Sequence, residues 1–420
     1  MDHAPAKRHW RELDLLRALA AACMVFNHFA VVAPLGAAGD DPVVAAWSFV
    51  GSFAPVLFFA ATGIGHGIQS LRGRRPATAD VAARVLALFA ADAALWIAPD
   101  RRVGMDFLGF IALSMVLLEL LRSTPRSGAV ALGAAAAVLA ARFAVGPLLR
   151  SQVDPGQDQY SWLGFLLGIV GRPGFSYPPC PWLSFPLAGY ALGRWLESRR
   201  EDWPRRGRAW AWAALAVGAA LAACAALMAA RGAVLFRWGT LSLAYVVAGY
   251  AALALGAGLA AILPGRTPPG SPHPSDRLAL GGLRSLAIVP IHYVLIHAFV
   301  ASIGGYQGPV DYLVGASAVT ALSFAASALI APLSRAAARR PRVAGAALIV
   351  AAALGLWALA QGRLAGVAPR ALVQLLLCLW LAMPRRARAT PQRPDGPTTT
   401  ADASPNRFFA AGPAGPAAAK

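Results

Sequence analysis

The sequence predicts an all-α, polytopic transmembrane helical bundle with about 10–12 spans and a cytoplasmic N-terminus. Of the 420 residues, 58% are hydrophobic and only 14% are charged, which is too little charge to coat a soluble chain of this length. Apolar stretches of about 20 residues, the length that crosses a bilayer, recur along nearly the whole chain. Because lipid offers no partner to backbone polar groups, these stretches must be helical.

Twelve apolar segments are candidate spans, although 80–98 and the pair within 343–383 are the least certain in number. The candidate spans are 13–33, 43–69, 80–98, 104–121, 128–148, 178–197, 209–230, 238–262, 281–303, 309–333, 343–361 and 368–383.

Arginines alternate with these spans in a pattern that indicates orientation. Clusters such as 72–75, 199–208 and 335–342 fall on one side, and the connections on the other side carry at most two arginines each. The positive-inside rule therefore predicts that both termini are cytoplasmic. The net charge of +19 is then a topology signal rather than a nucleic-acid-binding stripe. The alanine- and arginine-rich composition favours the inner membrane of a bacterium.

We expect three parts in the chain: a cytoplasmic N-terminal segment over 1–12, a transmembrane domain over 13–383, and a disordered cytoplasmic tail over 384–420. The long outer connection 149–177 either caps a site or is a passive connector. The four cysteines have no metal-ligand spacing, so we expect no metal site.

Polar residues in the first span share one helix face. Arg17 and His28 are eleven residues apart, which is three turns plus about 20°, and their separation along the axis is about 16 Å. Asp14 lies on nearly the same face as Arg17, and a structural ion pair between them is as plausible as a functional role. His28, beside Asn27, is deep in the span, where an ionisable group is costly and therefore a functional candidate; a structural histidine that donates to a neighbouring carbonyl is the alternative.

Other polar groups lie within later spans. His292 is at a depth comparable with that of His28, so it either faces the same cavity or packs structurally. Asp92 and Glu119 are expected to form structural ion pairs, Asp92 with an arginine such as Arg84.

Several motifs, in order, resemble the membrane acyltransferase superfamily, which includes the acyltransferase-3 proteins and the heparan-α-glucosaminide N-acetyltransferase-like proteins. The motifs are Leu13-Asp14-Leu15-Leu16-Arg17 with His28, Phe58-Phe59-Ala60-Ala61-Thr62-Gly63, Asp106 to Ser114, Pro181-Trp182-Leu183-Ser184-Phe185-Pro186, and Arg284 to His292. Some family members have an acidic residue where this chain has Ser52-Phe53-Ala54-Pro55, which leaves a carboxylate partner for the histidine open.

The resemblance implies an enzyme that moves an acyl group, acetyl above all, from cytoplasmic acyl-CoA to a hydroxyl or amine of a sugar or cell-surface glycan. A neutral imidazole such as His28 accepts a proton or carries the acyl group, and His292 is a second catalytic candidate. Asn27 is a candidate to orient the acyl carbonyl or stabilise its oxyanion. The candidate ligands for the coenzyme phosphates are Arg17, Arg72, Arg75 and Arg84.

A secondary transporter or flippase is the alternative, with buried His, Asp and Glu side chains as a proton relay. We expect no permanently bound cofactor, only acyl-CoA as co-substrate. The acceptor, the acyl chain length, the choice between O- and N-acylation and the oligomeric state stay open at this point.

Overall fold

The computed structural model describes residues 10–382 except 73–76, 97–103, 125, 150–161, 173, 236–239, 264–284, 340 and 365. The described part is helical, and its only β-type pairings are isolated bridges such as that between Pro34 and Tyr306. The helices are α1 (Arg11–Val32), α2 (Pro42–Gly51), α3 (Ala54–Leu71), α4 (Thr78–Trp96), α5 (Phe107–Arg122), α6 (Ser127–Ala140), α7 (Gly146–Leu149), α8 (Trp162–Leu166), α9 (Pro179–Trp182), α10 (Ser184–Ser198), α11 (Trp203–Ala230), α12 (Leu243–Ile262), α13 (Ser285–Ile303), α14 (Pro309–Arg339), α15 (Pro341–Ala360) and α16 (Val367–Ala382).

The predicted fold class is confirmed. Each of the twelve candidate spans overlaps a helix or a broken pair of helices in the described part. Eight described helical segments are long and apolar enough to cross a membrane by themselves. The chain is therefore a multi-pass membrane protein. The N-terminal segment before residue 10 and the tail after residue 382 lie outside the described residues.

Helix α1 contributes to one of the two main hydrophobic clusters of the described residues and packs against α2, α3, α12, α13 and α14. Its buried side chains include Ala20, Ala21, Val25 and Phe29, all fully covered. Because lipid provides no hydrophobic driving force between helices, this close packing supplies much of the association energy.

The tightest helix pair is α3 with α10, which meet through two opposed small-xxx-small motifs. A Cβ atom at Gly63 would lie 2.0 Å from the Pro186 carbonyl oxygen, and one at Gly193 would lie 2.2 Å from the Ile64 carbonyl oxygen. Only glycine permits this approach of the two backbones. The pair fixes the position of the elements that border α1.

The second predicted span, 43–69, is broken into α2 and α3 at Ser52 and Phe53. Pro55, in the first turn of α3, has no N–H to donate to the carbonyl four residues earlier, so a continuous helix is interrupted here. Tyr245 donates its hydroxyl to the Ser52 carbonyl oxygen at 2.7 Å. The break lies beside the outer half of α1, where it leaves room for a cavity.

Candidate active site

Two histidines from distant parts of the chain are in direct contact. Nδ1 of His28, in α1, lies 2.7 Å from Nε2 of His292, in α13. Nδ1 of His292 lies 2.9 Å from the Ile288 carbonyl oxygen. Since a carbonyl only accepts, Nδ1 of His292 carries a proton. With both rings neutral, Nε2 of His292 accepts from Nδ1–H of His28, which leaves a lone pair on Nε2 of His28.

His28 lines a cavity of about 480 Å³, whereas His292 is fully buried behind it and does not line this space. Of the two possibilities for His292, facing the cavity or packing against other helices, the structure has the second, with the His292 ring against the His28 ring. Tyr293 stacks on His28 with ring centroids 4.9 Å apart and lines the cavity. The geometry makes His28 the reactive candidate and His292 a positioning residue.

The cavity wall is polar on several sides and comes from seven helices and the segment before α9. The polar residues that line it are Asn27, His28, Ser48, Ser52, Asp92, Asp106, Ser176, Tyr177, Tyr293 and Gln374. Two of these are carboxylic acids, and no lysine or arginine is found among the described lining residues. The cavity therefore suits a ligand rich in hydrogen-bond donors more than an anionic one.

Asp92 does not form the predicted ion pair with Arg84. Its carboxylate oxygens accept the backbone N–H groups of Asp106 at 2.6 Å and Leu108 at 3.1 Å. These N–H groups lie at the start of α5, where the first turn lacks intrahelical acceptors and carries a partial positive charge. Asp92 therefore anchors the N-terminus of α5 to α4, which explains why a carboxylate is tolerated at this depth.

The side-chain amide of Asn27 is engaged by α2. Its Nδ2 donates to the Ser48 carbonyl oxygen at 2.9 Å and lies 3.3 Å from the Ser48 hydroxyl. The Asn27 amide is thus bonded to Ser48 while it lines the cavity, and its role in orienting the acyl carbonyl or stabilising its oxyanion stays a prediction. A Cβ atom at Gly51 would lie 2.8 Å from the Asn27 Cβ atom, so α2 presses directly on this part of α1.

The predicted phosphate-binding arginines do not line the His28 cavity. Arg17 is paired with Asp14 at 3.2 Å, and Arg72 is held by Glu197 through two contacts of 2.9 and 3.0 Å. Nε of Arg84 is buried without a hydrogen-bond partner among the described residues. Arg75 lies outside the described residues.

The match to a known family decides the class of protein. Residues 8–240 match the family model described as heparan-alpha-glucosaminide N-acetyltransferase, catalytic. The chain belongs to this family. It is thus a membrane-embedded transferase of the acetyltransferase type. No curated protein and no solved structure matches the chain.

The heparan-alpha-glucosaminide N-acetyltransferase model covers α1 to α11 and therefore includes His28, Asn27, Asp92 and Asp106. Residue His292, which supports the His28 ring, comes from α13, beyond the matched range. The site thus joins the family region to a helix of the remaining chain.

The other predicted ion pairs are present in the structure of this family member. Asp14 pairs with Arg17, and Glu119 lies 3.3 Å from Arg122 and 3.3 Å from His66. None of these groups is among the described residues that line the His28 cavity.

Sequence reasoning missed three groups at the cavity. Asp106 belongs to the Asp106 to Ser114 motif, and its position at a predicted helix start is the sequence signal that marks this carboxylate. Ser176 also lines the cavity, and the backbone of residues 174–176 pairs with Met105, so the outer connection does reach the site. Gln374 donates its amide to the Ala91 carbonyl oxygen at 3.2 Å, and no local pattern indicated it.

Proposed function

We propose that this protein transfers an acyl group, acetyl above all, from acyl-CoA to a hydroxyl or amine of a sugar or glycan, with His28 as the catalytic group. The observation that carries the proposal is the free Nε2 lone pair of His28, oriented by His292 at the wall of a cavity that places several polar side chains among apolar ones. An unshared imidazole lone pair beside space for a ligand is what proton abstraction or nucleophilic attack requires.

In the direct route, Nε2 of His28 takes the proton of the acceptor O–H or N–H while the oxygen or nitrogen attacks the thioester carbonyl. The tetrahedral intermediate then expels the coenzyme A thiolate, which receives the proton from His28. In the two-step route, Nε2 itself attacks the thioester carbonyl and expels the thiolate, which leaves an acylimidazolium on His28. The acceptor oxygen or nitrogen then attacks this acyl group, the bond between the acyl carbon and Nε2 breaks, and the acceptor's proton passes to the thiolate. In both routes His292 holds the same tautomer of His28.

The acceptor would bind on the side of the cavity that carries the carboxylic acids of Asp92 and Asp106. Asp106, half-buried in the cavity, and Ser176 beside it offer acceptors and a hydroxyl to a ligand with several O–H or N–H groups. Gln374 adds a carbonyl oxygen that has no partner among the described residues. A sugar carries such donors at a density that matches this wall.

The donor would approach from the other end of α1. Met24, one turn from His28 toward the N-terminus, is the innermost α1 residue that lines the cavity, and Arg17 lies seven residues further, about 10 Å along the axis. We propose that the acyl end of the thioester reaches His28 past Met24, with Arg17 and Arg84 on the phosphate side. This assignment rests on guanidinium chemistry.

The test measures thiol release from acetyl-CoA and acetyl transfer to amine- and hydroxyl-bearing sugars in membranes that contain the native chain or a variant. His28→Ala should remove activity by a factor of about 10²–10⁴. His297→Ala is the matched control, since His297 lies on the same helix as His292 but, within the described part of the chain, bonds only to the Tyr293 carbonyl oxygen. Equal rates in native and His28→Ala membranes would exclude His28 as the catalytic group.

A further inference from the structure

A second cavity, of about 540 Å³, lies at the opposite end of the bundle from the His28 cavity. It is the gap between the α11–α12 hairpin on one side and α1, α3 and α10 on the other. Its lining includes Leu13, Ile68, Leu192 and Tyr250, and Glu12 is its one acidic member. A space with so apolar a wall does not suit the coenzyme phosphates or a sugar.

The cavity is an elongated groove that opens on the bundle surface. On α12 its lining extends from Tyr250 to Ala261, which is about 16 Å along the helix. That length is close to half of the hydrocarbon core of a bilayer, which is about 30 Å thick. Val217, in the lining, is 55% exposed, so the groove faces the lipid. The length of the groove along α12 therefore matches the thickness of one leaflet.

Four tryptophans form a continuous rim at the end of the groove near the start of α1 and α11. Ring centroids are 5.1 Å apart for Trp10 and Trp203, 5.7 Å for Trp203 and Trp210, and 5.0 Å for Trp195 and Trp210. The indole N–H of Trp10 donates to Glu197, and that of Trp203 donates to Glu12. Tryptophans held this way mark the level of the lipid headgroups.

Cations stand beside this rim. Arg205 and Arg206 are exposed in the first turn of α11, directly after Trp203. The neighbouring Glu197 is already neutralised by Arg72 and Arg200, at 2.9 and 3.6 Å. Exposed arginines at the headgroup level attract anionic phospholipids.

We propose that this groove binds one acyl chain of an anionic phospholipid, taken from the leaflet at the N-terminal end of α1, with the headgroup at Arg205 and Arg206. The apolar walls match the chain, the 16 Å length matches one leaflet, and the charge at the mouth matches the headgroup. The bound chain fills the space between the α11–α12 hairpin and the helices that position Arg17. The site is separate from the His28 cavity and does not depend on the proposed acyl transfer.

The experiment counts phospholipids that stay bound to the purified full chain by native mass spectrometry after washing in a nonionic detergent with phosphatidylglycerol or phosphatidylcholine. The native chain should retain one phosphatidylglycerol in preference to phosphatidylcholine. Ala214→Phe, which puts a ring into the groove, should lower retention at least about tenfold, because it displaces several methylene groups of the chain. Ala257→Phe, on the α12 wall, should act alike if the first variant is poorly folded.

Ala216→Phe is the matched control, since Ala216 lies on the same helix, is exposed, and is not part of the lining. It should retain the lipid as the native chain does. Arg205→Gln with Arg206→Gln should abolish the preference for phosphatidylglycerol. The proposal is overturned if native protein retains no lipid, if the groove and control variants behave equally, or if the native chain shows no headgroup preference. It is also overturned if Ala214→Phe alters the oligomeric mass instead, which would make the groove an interface between two copies.

Discussion

His28 and His292 are 264 residues apart in sequence, yet their ring nitrogens lie 2.7 Å from each other. His28 donates and His292 accepts in this hydrogen bond, because the Ile288 carbonyl oxygen fixes the proton of His292 on its Nδ1. The bond therefore presents the free lone pair of His28 to the cavity rather than to the helix behind it. Orientation by a second group is a recurring requirement of imidazole bases and nucleophiles.

The first prediction concerns the partner ring. His292→Ala should lower kcat by about tenfold or more, less than His28→Ala, because the tautomer of His28 is no longer held. His292→Gln should recover part of the loss, since a carbonyl oxygen can accept from Nδ1–H of His28. The measurement is the pH profile of kcat in membranes, where His292→Ala should alter the profile and His297→Ala should not. Identical losses in the Ala and Gln variants would point to packing alone.

The second prediction separates a packing role of Asn27 from a catalytic one. Asn27→Ala removes the hydrogen bond to the Ser48 carbonyl oxygen and should cost roughly 1 kcal/mol of stability, as interhelical hydrogen bonds in membranes do. An oxyanion donor would instead be worth about 10²–10³ in kcat. We expect a lower melting temperature with a fall in kcat below tenfold. A hundredfold fall in kcat with native thermal stability would indicate that Asn27 stabilises the oxyanion.

The third prediction concerns the two carboxylates of the cavity wall. Asp106→Asn should raise KM for the acceptor and leave KM for acyl-CoA unchanged, because the half-buried Asp106 faces the ligand space. Asp92→Asn should lower thermal stability by about 1–2 kcal/mol, since its carboxylate caps the first turn of α5. Initial-rate kinetics with each substrate varied, together with thermal unfolding in detergent, separates the two effects.

Asp41→Asn is a matched control for Asp92. Asp41 also accepts two backbone N–H groups at a helix start, those of Val43 and Val44, but it does not line the cavity. Asp41 caps its own helix, at a partly exposed site where Asn serves about as well as Asp, whereas Asp92 is buried and joins α4 to α5. Asp41→Asn should therefore change both stability and kinetics little. A shift in acceptor KM for Asp92→Asn alone, without a stability loss, would assign Asp92 to binding instead of capping.

The helices, and the position of His28 deep in the first of them, could be predicted from local sequence signals. Hydropathy and arginine placement identify each span separately, because the length and ends of a span are visible in its own residues. The two-histidine contact could only be raised as one of two possibilities, because the depth of His292 in α13 does not determine which way its ring points.

The remaining wall could not be predicted because it depends on how helices pack. Gln374 borders the cavity only because α16 lies against α4, and nothing in the sequence around it signals that neighbour. The ion pair expected for Asp92 was wrong for a related reason. Spacing placed Arg84 two turns away, but the N-terminus of α5, a through-space neighbour, supplies the compensating charge.

The fourth prediction tests the close contact of α2 with α1. A Cβ at Gly51 would lie 2.7 Å from the Cys23 carbonyl oxygen, so Gly51→Ala must push α2 away and disturb the Asn27 contact. We expect a loss of about 1–3 kcal/mol in stability, as for overpacked sites, with a matching fall in activity. Gly133→Ala is the control, because a Cβ there meets nothing within 4 Å and should stabilise α6 slightly. Unchanged thermal unfolding of Gly51→Ala would show that α2 is free to shift.

The last prediction separates two roles of Arg72. Its guanidinium is held by Glu197 in a two-pronged pair, so a purely structural role predicts that Arg72→Ala and Glu197→Gln lower the melting temperature alike, by about 1 kcal/mol of stability each. Binding of coenzyme phosphates predicts something different: Arg72→Ala raises KM for acyl-CoA, whereas Glu197→Gln frees the cation and lowers it. Acyl-CoA titration of thiol release in both variants distinguishes these outcomes, since the kinetic shifts are equal in the first case and opposite in the second. From the geometry of the pair we expect the structural result, with phosphate contacts left to Arg17 and Arg84.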